Sequence, residues 1–175
     1  MAYARRDAEE GEVNILCLDL GSKHTGWAML IDGKITSGVQ HFKRKPKEPR
    51  GKTISEFIEW SKAKLLRCSF DLVVYEKPLM FFRGQAATFF GVGFAAIVEG
   101  WAYEFHSPVI TENVQTIKGF AAGAAKITEG KSQTLARAQQ FDPSIASDDQ
   151  ADALCLLLYV MTQKAIPIPP HGQGE

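Results

Sequence analysis

Short apolar runs separated by turn residues divide the chain into strands and helices. The nearly continuous apolar run 13–18 predicts a buried strand, and runs 25–31 and 34–42 predict two more. Asp32-Gly33, between the last two runs, is a strong two-residue hairpin signal. The chain is therefore predicted to open as a three-stranded meander.

Helical and strand-like segments alternate after the meander. Residues 54–66 carry an approximate helical stripe, and 71–75 form another buried strand. The segment 85–105 predicts a long helix that is apolar around nearly its whole circumference and must be covered on more than one side. The remaining predictions are a short fifth strand at Val109-Ile110, a polar helix at 131–140 and a final helix at 147–161. The order βββαβαβαα is typical of an α/β fold, a mixed five-stranded sheet flanked by helices.

One domain accounts for most of the chain. With 175 residues, 45% of them hydrophobic, the chain is long enough to bury one core. Residues 1–12 are polar and charged, and 164–175 are rich in Pro and Gly, so both ends are predicted to be tails around a domain at 13–163.

Composition excludes several classes of protein. No apolar run approaches the roughly 18 to 20 residues that span a bilayer, and the start MAYARRDAEEGE has no signal-peptide core. Cys17, Cys68 and Cys155 lack metal-type spacing and are expected to be reduced core thiols. We therefore expect a soluble, cytoplasmic protein, and the cysteines indicate neither a disulfide nor a zinc site.

The charge distribution is mixed. The formal net charge of zero counts against the basic footprint of many nucleic-acid binders. Residues 43–52 nevertheless carry six basic residues against one Glu, with two prolines, and are predicted to form an exposed loop. That loop is either an arm that contacts phosphates or a merely solubilising surface. Its candidate phosphate-contacting residues, together with Lys23, are Lys43, Arg44, Lys45, Lys47 and Arg50.

Two carboxylates follow predicted strands directly. Asp19 leaves the first strand at a glycine-shaped turn, and Glu76 leaves the fourth strand just before Lys77-Pro78, where proline disfavours continuation of the ladder. Each alone has an ordinary explanation, a solvated turn for Asp19 and an exposed ion pair for Glu76. An acid-Gly-Ser turn also begins actin-like kinases, but that fold needs two such domains, more than 175 residues provide.

A third acidic group opens the last predicted helix. Asp149 and Asp152 are three residues apart and so share one helix face, where their like charges would repel without a cation. The alternative is that acids in a first helical turn favour the helix macrodipole and that Ser147 or Asp148 caps the helix. The combination of all three acidic positions on one chain favours a metal centre.

The acids and their order carry a family resemblance. Asp, Glu and Asp-x-x-Asp on a βββαβαβαα chain resemble the RNase H-like nucleases, and DLGSKHTGWA is similar to the opening of RuvC-type Holliday junction resolvases. The resemblance extends from about residue 15 to residue 159. It implies that Asp19, Glu76, Asp149 and Asp152 hold two Mg²⁺ or Mn²⁺ ions, with Asp148 as a further candidate ligand.

The same resemblance implies a reaction. Water would attack a DNA phosphodiester in line, with two ions about 4 Å apart activating the water and stabilising the leaving 3′ oxygen. The expected products are 5′-phosphate and 3′-hydroxyl ends. The protein would thus be an endonuclease of recombination or repair that nicks four-way junctions in symmetric pairs.

Further roles are carried over by position. The family's two functional lysines correspond to Lys118 and to either Lys126 or Lys131, and its junction wedge corresponds to Phe81-Phe82-Arg83. The apolar helix 85–105 would supply a homodimer contact that matches the two-fold symmetry of a junction. A branch-migration helicase is a candidate partner.

Three alternatives stay open. The same fold could act on RNA–DNA hybrids, branched replication intermediates or packaging DNA. A non-catalytic DNA-binding relative is disfavoured by four intact acids, and an actin-like phosphotransferase is the remotest alternative.

Overall fold

The computed structural model describes residues 13–43, 45, 47–65, 69–78, 84–123 and 130–169. The elements of this part, in chain order, are β1 (Ile15–Asp19), β2 (His24–Ile31), β3 (Lys34–His41), α1 (Arg50–Leu65), β4 (Leu72–Glu76), α2 (Gly84–Glu104), β5 (Val109–Glu112), α3 (Val114–Ala122), α4 (Gly130–Phe141) and α5 (Asp148–Gln163).

The described strands form one mixed sheet in the order β3-β2-β1-β4-β5. β1 to β3 are antiparallel neighbours, whereas β1, β4 and β5 run parallel. The turn between β2 and β3 has positive φ at both Asp32 (48°) and Gly33 (71°), as a two-residue primed turn requires. The meander, the five strands and the α/β class are confirmed.

Helices cover both faces of the sheet. On one face Cys17, Leu30 and Val74 pack with Leu154 and Leu157 of α5. On the other face Leu18, Trp27 and Tyr75 pack with the inner sides of α1 and α2. In that second layer the Phe57 and Phe94 rings stack with centroids 3.9 Å apart. The alternation along each strand divides its side chains between these two cores.

The helices differ from the sequence prediction in two places that matter for the site. The basic segment 43–52 is not a loop throughout, because α1 already begins at Arg50. The described part also contains a helix that the pattern βββαβαβαα lacks, α3. Asn113 caps α3 by accepting a hydrogen bond from the Gln115 amide at 3.2 Å, and Gly123 follows its last turn at φ 58°. Both cap residues are visible in the sequence, but a helix of nine residues shows little periodicity.

One helix of the described part, at Gln85–Glu104 in α2, is by length and composition apolar enough to cross a membrane. This finding corrects the sequence prediction that no apolar stretch is long enough to span a bilayer. Phe90, Phe94 and Val98 of this helix are buried against the sheet. We interpret α2 as a helix of this domain that packs its inner side against the sheet.

Candidate active site

Asp19 and Glu76 lie at the same edge of the sheet. β1 and β4 are parallel neighbours with Leu18 opposite Tyr75, so both strands deliver their final acid to one place. Strand alternation puts these acids on the face of Cys17, the face that α5 covers. Both line a cleft of about 130 Å³ at this edge, and Thr88 of α2 lines it as well.

The turn after Asp19 is held by its own sequence motif. The buried Thr25 hydroxyl donates to the Gly21 carbonyl at 3.2 Å and lies 3.4 Å from the Gly21 amide. A Cβ at Gly21 would overlap the His24 carbonyl. Glycine and threonine at this spacing therefore fix a tight return into β2, and this return orients the end of β1.

Gly26 brings the start of α5 onto the sheet. Gly26 is the β2 partner of Asp19, and a Cβ there would overlap the carbonyl oxygen of Asp149. The Gln150 amide also donates to the Ser37 hydroxyl at 3.1 Å. Only one strand spacing, about 4.8 Å, separates the β2 backbone under Asp149 from the β1 backbone at Asp19. The missing side chain at Gly26 thus permits the approach of the two acidic groups.

Asp152 carries a strongly perturbed carboxyl group. Its pKa is raised to about 6, chiefly by burial; the charges of Asp148 and Asp149 also raise it, whereas a hydrogen bond from Thr134 and the charge of Lys118 lower it. Ser147 occupies the N-cap of α5, yet its side chain makes no capping hydrogen bond. The acids of this turn therefore form a crowded, partly buried group next to one lysine, an arrangement that a cation would relieve.

The raised pKa predicts a cost in stability. Because the folded-state pKa of Asp152 exceeds the unfolded value of about 3.9, the folded state binds more protons between about pH 4 and 6, and stability falls as pH rises through this window. Asp152→Asn should therefore raise the free energy of unfolding at pH 8 in EDTA by about 2 kcal/mol, and this gain should vanish below about pH 4. Urea unfolding at several pH values measures it. The exposed Glu59→Gln is the control and should show no such gain; an Asp152→Asn that is destabilising at pH 8 would contradict the expectation.

The carboxylates in this region are the type of ligand that a hard divalent cation prefers. Carboxylate oxygens come from two adjacent strand ends and from the first turn of α5 packed beside them. Within the described ranges, however, no three His, Cys, Asp or Glu side chains are close enough together to hold a metal ion. The structure therefore brings Asp19 to Glu76 and brings Asp152 to its acidic neighbours, as two separate sets of carboxylates.

The lysines predicted for the site fall in different places. Lys118 lies on α3 and is close enough to Asp152 to lower its pKa. Lys131 is in the first turn of α4, where only the backbone is described. Lys126 lies outside the described residues, as do the wedge candidates Phe81, Phe82 and Arg83 and the basic Arg44.

The other basic candidates are exposed: Lys23, Lys43, Lys45, Lys47 and Arg50. Glu48 organises the segment by accepting from the Lys45 amide at 2.6 Å and pairing with Lys52 at 3.0 Å. The Arg50 guanidinium lies 5.1 Å from the centre of the Phe89 ring and so ties α1 to α2. Arg50 is thus a structural contact as well as a surface charge.

Thr134 is a residue that sequence reasoning missed. This α4 residue is 1% exposed and hydrogen-bonds to the Asp152 carboxylate. Its carbonyl also accepts from the Cys155 thiol at 3.4 Å. No spacing rule links a threonine on one helix to an acid on the next, so only the packing of α4 against α5 reveals this contact.

The order of the elements and the topology of the sheet match an RNase H-like fold, and the chain is similar in structure to two RuvC structures and to a Holliday junction resolvase. A structure of T. thermophilus RuvC in complex with Holliday junction substrate matches with a TM-score of 0.67 and 18% identity, over 90% of this chain and 99% of that chain. A second Thermus thermophilus RuvC structure gives 0.66 and 17% over the same shares. The yeast mitochondrial Holliday junction resolvase Ydc2 gives 0.59 and 11%, over 89% of this chain and 80% of that chain. No protein-family model and no curated protein sequence matches this chain. The comparisons confirm the predicted fold.

Proposed function

We propose that this protein is a metal-dependent endonuclease that resolves four-way DNA junctions. The observation that carries the proposal is the coincidence of a resolvase fold along nearly the whole chain with acids at the ends of β1 and β4 and the start of α5. A non-catalytic relative would have no need to keep Asp152 buried and charged at a cost in stability.

The residues would divide the work as follows. Asp19, Glu76, Asp149 and Asp152 bind Mg²⁺ or Mn²⁺, with Asp148 adjacent. When bound, two such ions supply an activated water and stabilise the leaving 3′ oxygen. Lys118 lies where its charge offsets that of Asp152 and would neutralise charge on the scissile phosphate. Lys126 or Lys131 is the proposed second lysine.

DNA would be held by surfaces around this centre. Lys23, Lys43, Lys45 and Lys47 are exposed and would contact phosphates, joined by Arg44 and Arg50. Phe81, Phe82 and Arg83 directly precede α2 in the chain and are the proposed wedge at the junction centre. A branch-migration helicase is a proposed partner. Cys17 and Cys155 are free and buried, which suits the reducing cytoplasm in which we propose that the protein acts.

A homodimer through α2 would match the two-fold symmetry of a junction. The outer side of α2 exposes Phe89 (45%), Val92 (41%) and Tyr103 (73%) at helical spacing. Such an apolar stripe on a helix whose other side is core favours a protein contact.

Introducing a charge into the stripe tests the dimer. Val92→Asp should convert a dimer into a monomer at micromolar concentration, because a carboxylate would be buried without a partner. Sedimentation velocity measures the change. Ala136→Asp, at an exposed site of α4 on the opposite side of the sheet, is the matched control and should leave the dimer intact. A wild-type protein that sediments as a monomer would refute the dimer.

The substrate test compares DNA structures directly. Labelled four-way junction, linear duplex and RNA–DNA hybrid of the same sequence are incubated with the protein in Mg²⁺ or EDTA. Paired symmetric nicks on the junction alone, with ligatable ends and only with Mg²⁺, are expected. Degradation of the hybrid would instead assign an RNase H-type activity, and binding without cutting would assign a non-catalytic role.

A further inference from the structure

Two histidines converge at the open end of the β2–β3 hairpin. His24 and His41 are direct partners in the register, and their Nδ1 atoms lie 2.6 Å apart with the rings perpendicular. Both side chains are exposed. Neither residue has a part in the proposed nuclease centre.

The hairpin geometry explains why the two rings meet. The two-residue turn makes Ile31 and Lys34 a hydrogen-bonded pair, and such pairs alternate with non-hydrogen-bonded ones along an antiparallel ladder. His24 and His41 then form a non-hydrogen-bonded pair, in which facing side chains are closest. The Phe42 amide donates to the Lys23 carbonyl at 2.8 Å, as expected for the next hydrogen-bonded pair. The pairing of the two strands thus places the two imidazole rings in contact with each other.

We infer that His24 and His41 form a binding site for a borderline divalent transition-metal ion of the Zn²⁺ class. Imidazole nitrogen suits Zn²⁺, Ni²⁺ and Cu²⁺, whereas the carboxylates beyond Gly26 suit Mg²⁺. Around a tetrahedral Zn²⁺ with Zn–N bonds of about 2.0 to 2.1 Å, two nitrogens stand roughly 3.3 Å apart. The exposed rings reach that separation from 2.6 Å by opening less than 1 Å.

The surrounding charge favours a cation on this face. Alternation sends Lys23 and Phe42 to the opposite face of the sheet. The histidines share their face with Gly26, over which the first turn of α5 packs with Asp148 and Asp149. Since no third His, Cys, Asp or Glu joins the pair within the described residues, the ion keeps further positions for water.

Zn²⁺ titration of the protein without DNA tests the site. Wild-type protein should bind one Zn²⁺ per chain at the pair by calorimetry, and Zn²⁺ should raise its melting temperature. His24→Ala and His41→Ala should each weaken that binding at least ~10-fold, the lower range seen when even an outer partner of a metal ligand is lost. His106→Asn removes an exposed imidazole elsewhere, at φ 56° that Asn tolerates, and should bind Zn²⁺ like wild type.

Two further measurements distinguish Zn²⁺ binding at the histidine pair from misfolding of a variant and from binding at the acids. Zn²⁺ should shift the ring ¹⁵N resonances of both His24 and His41 in the wild-type protein, whatever the stability of the variants. Asp152→Asn should retain the binding that the histidine variants lose. Zn²⁺ binding that is lost in Asp152→Asn and kept in His24→Ala, or no saturable binding, would overturn the inference. Because no DNA or cleavage enters these tests, they stand apart from the proposed nuclease function.

Discussion

Asp19→Asn and Asp149→Asn should each reduce junction cleavage by at least ~10³-fold while leaving the fold intact, because each would remove a charged ligand from the proposed metal centre, which would act by electrostatic stabilisation. Asn keeps the shape of Asp, and both positions are only partly buried, so the backbone around them should not move. Single-turnover cleavage with enzyme in excess measures the rate of the chemical step.

The matched control is Glu59→Gln, which neutralises an exposed acid on α1. It should cleave at the wild-type rate. Junction affinity of the Asp variants, measured by gel shift in Ca²⁺, should stay within a few-fold of wild type, since the basic side chains proposed to contact phosphates are unchanged. Either Asp variant cleaving within ~10-fold of wild type would remove that residue from the centre.

Gly26→Ala should disrupt the packing of α5 against β2. The added Cβ overlaps the backbone carbonyl of Asp149 and meets the Ala153 side chain, and no side-chain rotation relieves a clash with backbone. We expect α5 to lift from β2, at a cost of about 3 kcal/mol in the free energy of unfolding. Cleavage should fall by at least ~10²-fold, since even a small displacement of one acidic group relative to the other disrupts the centre.

Gly100→Ala is the control for that change. Gly100 lies within α2, and a Cβ there would meet nothing within 4 Å. Its unfolding free energy should rise by about 0.4 to 1 kcal/mol, through reduced entropy of the unfolded chain. Urea unfolding and single-turnover cleavage compare the pair. A Gly26→Ala protein as stable and active as Gly100→Ala would show that the close approach of α5 and β2 does not matter.

The sheet was predictable because its signals are local. Asp32-Gly33 fixes the turn, and the turn fixes the register of β2 on β3, including the facing of His24 and His41. The facing of these two histidines could therefore have been predicted from the sequence. The helix α3 could not have been, because a helix of nine residues between Asn113 and Gly123 has its cap residues as the main signal.

The acids were predictable as strand-end and helix-start residues, but their places in the fold were not. Parallel pairing of β1 with β4 brings Asp19 to Glu76, and only the absent side chain of Gly26 lets α5 approach them. Likewise, the burial of Asp152 and its hydrogen bond with Thr134 depend on how α4 packs against α5. Such contacts between distant segments have no local signature.

A crystal structure of the protein soaked with Mn²⁺ tests the central claim most directly, since anomalous scattering locates the ions. If the four carboxylates form one centre, Mn²⁺ should lie within about 2.3 Å of oxygens from Asp19 or Glu76 and also from Asp149 or Asp152. Mn²⁺ bound by one set alone, or absent from both at saturating concentration, would contradict a shared metal centre.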